Sequence, residues 1–149
     1  FGVKLKHNAN SFCIKNKRII LIDDSIVRGT TCLKIVKMLK DAGVKEIHMK
    51  VASPPITHPD YYGVDTPKQS ELLASNKNIS EMSKYIGVNT LSFLSIEGLY
   101  KSMGFKNRNS NFPQFTDHCF TGDYPVIPVD KVLDKSKHNQ LSFLSNINI

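Results

Sequence analysis

Long apolar runs are absent from this chain. None of its 149 residues belongs to a hydrophobic stretch near the ~20 residues that a membrane helix needs, so no membrane partner is expected. The opening FGVKLKHNANSF has neither an initiator Met nor the apolar core of a signal peptide. Cysteine is sparse. Cys13, Cys32 and Cys119 are odd in number and scattered, and no CxxC pair exists. That pattern speaks against a disulfide framework or a zinc site and for a reducing, cytoplasmic compartment. Arginine is scarce too: only Arg18, Arg28 and Arg108 stand among the 20 basic residues behind the net charge of +7. Nucleic-acid readers cluster their charge and use Arg for base contacts. Here the lysines are dispersed, apart from Lys34, Lys37 and Lys40 along one stretch, so a solvated basic surface is expected and no nucleic-acid partner. Such a field still attracts a polyanionic substrate. A GxxxxGK[ST] loop and a GxGxxG fingerprint are both missing.

What is present is one domain's worth of chain with 40 % hydrophobic residues, enough for a real core. The division read from the sequence is a body over 1–130 and a polar tail over 131–149. Its organising stretch is RIILIDDSIVRGTT, residues 18–31. An apolar β-branched run reads as a buried strand over 18–23. The carboxylates Asp23 and Asp24 follow, then Ser25, Val27, Arg28, Gly29, Thr30 and Thr31. Gly29 permits a turn that a side chain blocks, and Thr30 or Thr31 is the expected helix N-cap. A helix N-terminus offers N–H groups to a phosphate. Paired carboxylates at a strand end hold sugar hydroxyls or a hydrated Mg²⁺.

The fold class expected is α/β. CLKIVKMLKDA (32–42) carries apolar residues at helical spacing opposite its lysines, and Gly43 is a natural stop. EIHMKVA (46–52) alternates as a strand, which makes a βαβ unit and a parallel pair. Ser53-Pro54-Pro55 ends that strand, and the Pro-, Gly- and Tyr-rich segment after it reads as an ordered loop. Short helices follow over 70–74 and 81–86, the latter capped by Asn78 or Ser80 and ended by Gly87. A third strand is expected over 90–94 and a helix from Ile96 to Met103, stopped by Gly104. Residues 106–115 read as loop, and DHCFTGDYPV as compact but irregular. Val3 and Leu5 alternate with lysines as in a short strand, and LSFLSNINI at the end is a segment that docks or stays loose. LSFLS occurs at 91–95 and 141–145 with nothing around it repeated, which is coincidence.

DDSIVRGTT resembles the phosphoribosyl-diphosphate loop of the type I phosphoribosyltransferases. VKLKHNAN before it, and SPPITHPDYYGVDTP, NTLSFLSIEGLYKSMG and DHCFTGDYP after it, resemble the C-terminal part of the amidophosphoribosyltransferases, in order and across almost the whole chain. The resemblance implies part of the type I fold: three layers, a short parallel sheet and flanking helices. It implies a role in forming 5-phosphoribosylamine from phosphoribosyl diphosphate and glutamine-derived ammonia, the committed step of purine synthesis. Asp23 and Asp24 would bind the ribose hydroxyls or a Mg²⁺, and Val27 to Thr31, with Ser25 beside them, would cradle the 5′-phosphate. Arg28 is either a phosphate contact or an exposed loop arginine. No side chain need act as nucleophile. His58 reads as a hydrogen-bonded structural histidine rather than an acid–base group, and Tyr61 and Tyr62 as packing residues.

Some members of the family hold an iron–sulfur cluster on four cysteines. The positions matching three of them are Asp60, Phe112 and Phe115, so the resemblance is to the cluster-free branch and no cluster is expected; the two phenylalanines are expected to fill that space. The family's glutaminase domain, pyrophosphate loop and substrate hood have no counterpart. The expectation is a fragment, split-gene product or remnant with little activity alone. Its partner is then a separate chain carrying the missing half, or a second copy of itself. A non-catalytic phosphoribosyl-diphosphate or nucleotide sensor and a structural remnant are the alternatives.

Overall fold

The structure is a computed structural model that describes residues 8–64, 66 and 68–126. Val3 and Leu5, the tail over 131–149 and the second LSFLS copy lie outside the described residues. The elements in chain order are α1 (Ser11–Ile14), β1 (Arg18–Asp23), α2 (Thr30–Asp41), β2 (Glu46–Val51), a 3₁₀ turn (Gln69–Glu71), α3 (Leu73–Asn76), α4 (Ile79–Ile86), β3 (Thr90–Phe93), α5 (Ile96–Ser102) and α6 (His118–Thr121). The expected strands are therefore present to within a residue or two, and the α/β class holds. The short helix α1 and the helical turn α6 are additions, the first in a segment with no helix expected and the second in one read as irregular.

The three strands form one parallel sheet in the order β1-β2-β3. Ile20 pairs with His48, and His48 with Thr90, so the three residues form one row across the sheet. Alternation decides what each face does. Ile47, Met49, Val51 and Leu91 point to one face and are buried beneath Cys32, Val36 and Leu39 of α2 and Met82 and Ile86 of α4. On the opposite face Ile20 and Ile22 are 67 % and 73 % exposed. Parallel sheets are ordinarily covered on both faces. Here the flanking helices gather on the Met49 side, and the Ile20 face is open among the described residues. A polar row holds that face together. Arg18 pairs with Glu46 at 3.1 Å, and His48 meets Glu46 at 3.1 Å and Thr90 at 2.9 Å.

Local chemistry sets the element ends. Asn78 and Glu81 form a reciprocal capping box at α4, and Gly87 ends that helix with φ +84°. Ser95 caps α5 by accepting from Gly98 N–H at 3.0 Å. Beyond the sheet, a second small core surrounds Tyr100, which is 1 % exposed. Its hydroxyl donates to Asp117 at 2.8 Å, and Arg108 donates to both Asp117 oxygens at 2.5 and 3.0 Å. Phe115 packs against Tyr100 and Phe105 with ring centroids 5.7 and 5.4 Å apart. Phe112, by contrast, is 82 % exposed and fills no interior space. That corrects the expectation that both phenylalanines pack inward: loop 106–115 turns only Phe115 toward an aromatic neighbour.

Candidate functional site: a carboxylate pair below an open helix end

Residues 23–32 line one cavity of about 310 Å³ where β1 hands the chain to α2. Every expected site residue is in it: Asp23, Asp24, Ser25, Val27, Arg28, Gly29, Thr30 and Thr31. The place follows from topology, because in open α/β sheets the carboxyl ends of strands face the ligand crevice. Ile26 is 2 % exposed and anchors the loop in the core, and Val27 C=O accepts from Leu73 N–H at 2.9 Å. The loop is thus pinned at its middle from below.

The two carboxylates are held differently. Asp23 takes Asp24 N–H on Oδ1 at 3.1 Å, and the Cys32 thiol lies 3.6 Å from its Oδ2. Asp24 is exposed and, among the described residues, accepts only the Ser25 hydroxyl, at 3.2 Å. Burial pushes the Cys32 thiol up to about 12, and the neighbouring Asp23 carboxylate adds to the rise. Cys32 is therefore a neutral donor beneath the site, not a nucleophile.

The helix cap differs from the expectation. The N-cap of α2 is Gly29, at φ +76°, and neither threonine caps the helix. A left-handed residue suits Gly where Thr is strained, so the threonines become the first two residues of the helix. A Cβ at position 29 would also stand 2.8 Å from Leu73 Cδ2. No side chain caps this 12-residue helix and no acidic residue lies in its first turn. Its leading N–H groups and positive dipole end remain available to an anion. Arg28 instead turns to Glu71, at 2.9 and 3.0 Å, and both side chains are about half exposed. An exposed pair of that kind contributes little stability.

A second constellation arises where loop 53–64 meets α6. Asp60 Oδ1 accepts N–H groups from Tyr62 at 2.7 Å and Val64 at 3.1 Å. Asp60 Oδ2 meets His118 Nε2 at 2.6 Å and Cys119 Sγ at 3.7 Å. Tyr62 and Tyr124 enclose the His118 ring at 4.9 and 5.1 Å between centroids, and Tyr61 stacks on Tyr124 at 5.0 Å. Burial raises the Asp60 pKa, but the two backbone N–H bonds and the His118 ring outweigh it and hold the carboxyl below its ordinary range. Burial, with Asp60 beside it, pushes the Cys119 thiol up to about 11. The sequence reading missed His118 altogether, because Asp60 lies 58 residues away and no spacing motif joins them. His58 is held by Thr57 at 2.9 Å and packs on Gly122, the structural role expected of it.

No family model matches the chain. Individual relatives do. The amidophosphoribosyltransferase of Rhizobium etli is 55 % identical over 147 residues, which is 98 % of this chain. The chain belongs with the amidophosphoribosyltransferases. The amidophosphoribosyltransferase of Bacillus subtilis is 48 % identical over 95 % of the chain, and amidophosphoribosyltransferase 2, chloroplastic, of Arabidopsis thaliana is 50 % identical over 89 %. Solved structures agree. The glutamine phosphoribosylpyrophosphate amidotransferase from B. subtilis, complexed with ADP and GMP, superposes with a TM-score of 0.71 at 49 % identity over 79 % of this chain. A structure described as the allosteric regulatory enzyme of purine biosynthesis gives 0.74 at 49 % identity over 87 %. The chain spans less than a third of these proteins: 29 % of the R. etli relative and 26 % of the B. subtilis structure.

An iron–sulfur cluster, which part of this family carries, needs four thiolates. Here three of the matching positions supply the Asp60 carboxylate and two exposed phenylalanine rings, so the residues present do not fit such a group. A hydrated Mg²⁺ is a different case. Asp23 and Asp24 are adjacent hard oxygen donors at the cavity, and that chemistry fits.

Proposed function

We propose that this chain is the ribose- and phosphate-binding portion of an amidophosphoribosyltransferase, taking phosphoribosyl diphosphate with Mg²⁺. The observation that carries the reading is the juxtaposition at residues 23–32. An exposed carboxylate and the N-terminus of a helix without a side-chain cap line a single cavity. That combination suits a sugar phosphate, whose hydroxyls need acceptors and whose phosphate needs donors.

The residues divide the work as follows. Asp24, exposed and bonded to Ser25, accepts the ribose hydroxyls. Asp23 is fixed from both oxygens and orients that edge. The backbone N–H groups from Val27 to Thr31, with the two Thr hydroxyls, hold the 5′-phosphate. Clamping both ends of the ribose presents its anomeric carbon to an incoming amine and converts an encounter into an oriented reaction. Mg²⁺ held by Asp23 and Asp24 would neutralise the departing pyrophosphate. Nothing in the loop need form a covalent intermediate.

The remaining groups for turnover, including glutamine hydrolysis, belong to the part of the relatives that this chain does not span. These 149 residues by themselves are then a binding element with little activity, completed by that remaining part whether it is carried on the same chain, a separate chain or a second copy. Calorimetry with phosphoribosyl diphosphate and Mg²⁺ tests it. Binding should be measurable for the parent and at least ~10-fold weaker for Asp24→Asn, as expected when a charge-assisted hydroxyl contact is lost. Equal heats for the two proteins would remove the assignment, and brisk ammonia-dependent phosphoribosylamine formation by the chain alone would remove the claim of low activity.

A further inference from the structure

We propose that Asp60, His118 and Cys119 form a binding site for one divalent transition-metal ion of the zinc type. The three side chains offer a carboxylate oxygen, an imidazole nitrogen and a sulfur, all within 4.8 Å of one another. Zinc takes such donors at about 2.0–2.3 Å in a tetrahedron, which places ligand atoms about 3.3–3.8 Å apart. Asp60 Oδ2 and Cys119 Sγ already stand 3.7 Å apart, and Oδ2 and His118 Nε2 at 2.6 Å must separate by less than about 1 Å.

Three features make this more than a chance meeting of donors. The second Asp60 oxygen is tied down by the N–H groups of Tyr62 and Val64, so the ligand is oriented by its outer contacts. The Asp60 and His118 side chains are 7 % and 3 % exposed, with tyrosine rings around the imidazole, so little water competes. The charges also close: carboxylate and thiolate together cancel a 2+ ion, and the imidazole stays neutral. Sulfur and nitrogen in the donor set favour zinc, cobalt or copper over magnesium or calcium.

Binding is a proton exchange with no redox change. The Cys119 S–H bond breaks and its proton leaves to solvent. The His118 Nε2 proton moves to Nδ1, a buried atom with no hydrogen-bond partner among the described residues. Bonds form from the metal to Sγ, Nε2 and the carboxylate oxygen, and the fourth position takes water. The site is independent of the ribose–phosphate reading and shares no residue with it.

The test is titration of the chelator-treated full chain with Co²⁺. One equivalent should bring up a near-ultraviolet thiolate-to-cobalt charge-transfer band and intense visible bands, both displaced by Zn²⁺. Cys13→Ser should leave the spectrum unchanged, and Cys119→Ser should abolish the charge-transfer band. A second measurement on the unaltered chain guards against a variant that fails to fold. Zn²⁺ should slow alkylation of Cys119 by an order of magnitude while leaving the exposed Cys13 unaffected. No charge-transfer band, a band that survives Cys119→Ser, or Cys119 alkylation indifferent to Zn²⁺ would show the three residues to be a hydrogen-bonded clasp only.

Discussion

Gly29 carries two constraints at once. Its φ of +76° strains any L side chain, and a Cβ there would press on Leu73 Cδ2 at 2.8 Å. Gly104 has a similar φ, +87°, but open space around it. The pair separates backbone strain from crowding. Gly104→Ala should lose about 1 kcal/mol in urea denaturation, the strain alone. Gly29→Ala should lose about 2–3 kcal/mol, because Leu73 is buried and cannot simply swing aside. Equal losses would mean that the Leu73 contact constrains nothing. Thr is a good cap by type, but here the turn into α2 requires a left-handed residue first, and that requirement is stronger than cap preference.

At the scale of elements, α4 shows how much a short helix owes to its ends. It has eight residues, too few to persist alone. Asn78 accepts Glu81 N–H at 3.0 Å, and the Glu81 carboxylate accepts Asn78 N–H at 2.8 Å. Asn78→Ala should cost about 1 kcal/mol in thermal or urea unfolding, and Asn78→Asp should restore most of it. An Asp variant as unstable as the Ala variant would show that the cap bond is not what matters. The α4 cap, the Gly87 stop and β1 to β3 were legible because each rests on neighbours in sequence. The 3₁₀ turn Gln69–Glu71 and α3 were read as one piece, because the bond that separates them comes from Val27, far away in the chain.

The whole molecule has an unfinished side. Among the described residues β1 is an edge of the sheet, and its outward residues Ile20 and Ile22 are mostly exposed on a face that parallel sheets usually cover. For these 149 residues studied by themselves, a second copy is one available cover. Sedimentation velocity should show the parent chain associating as concentration rises. Ile20→Lys/Ile22→Lys should sediment as a monomer with stability changed by no more than about 0.5 kcal/mol, as for surface positions. A parent that stays monomeric throughout would leave the open face without a role. The net charge of +7 opposes association, so the effect should strengthen with added salt.

By itself the sequence determined the local matters: which segments are strands and helices, where the carboxylate pair stands, and the likeness of DDSIVRGTT and its flanks to the amidophosphoribosyltransferases. These follow from periodicity, caps and contiguous motifs, which depend on nearest neighbours. Only the tertiary structure decided that Gly29 rather than a threonine opens α2, that Arg28 turns to Glu71, that Phe112 faces solvent, and that Asp60 meets His118 and Cys119. Each of these is a contact or exposure set by packing between distant segments. A sequence pattern cannot order such contacts, because the packing energy that selects them exists only once the chain has closed on itself.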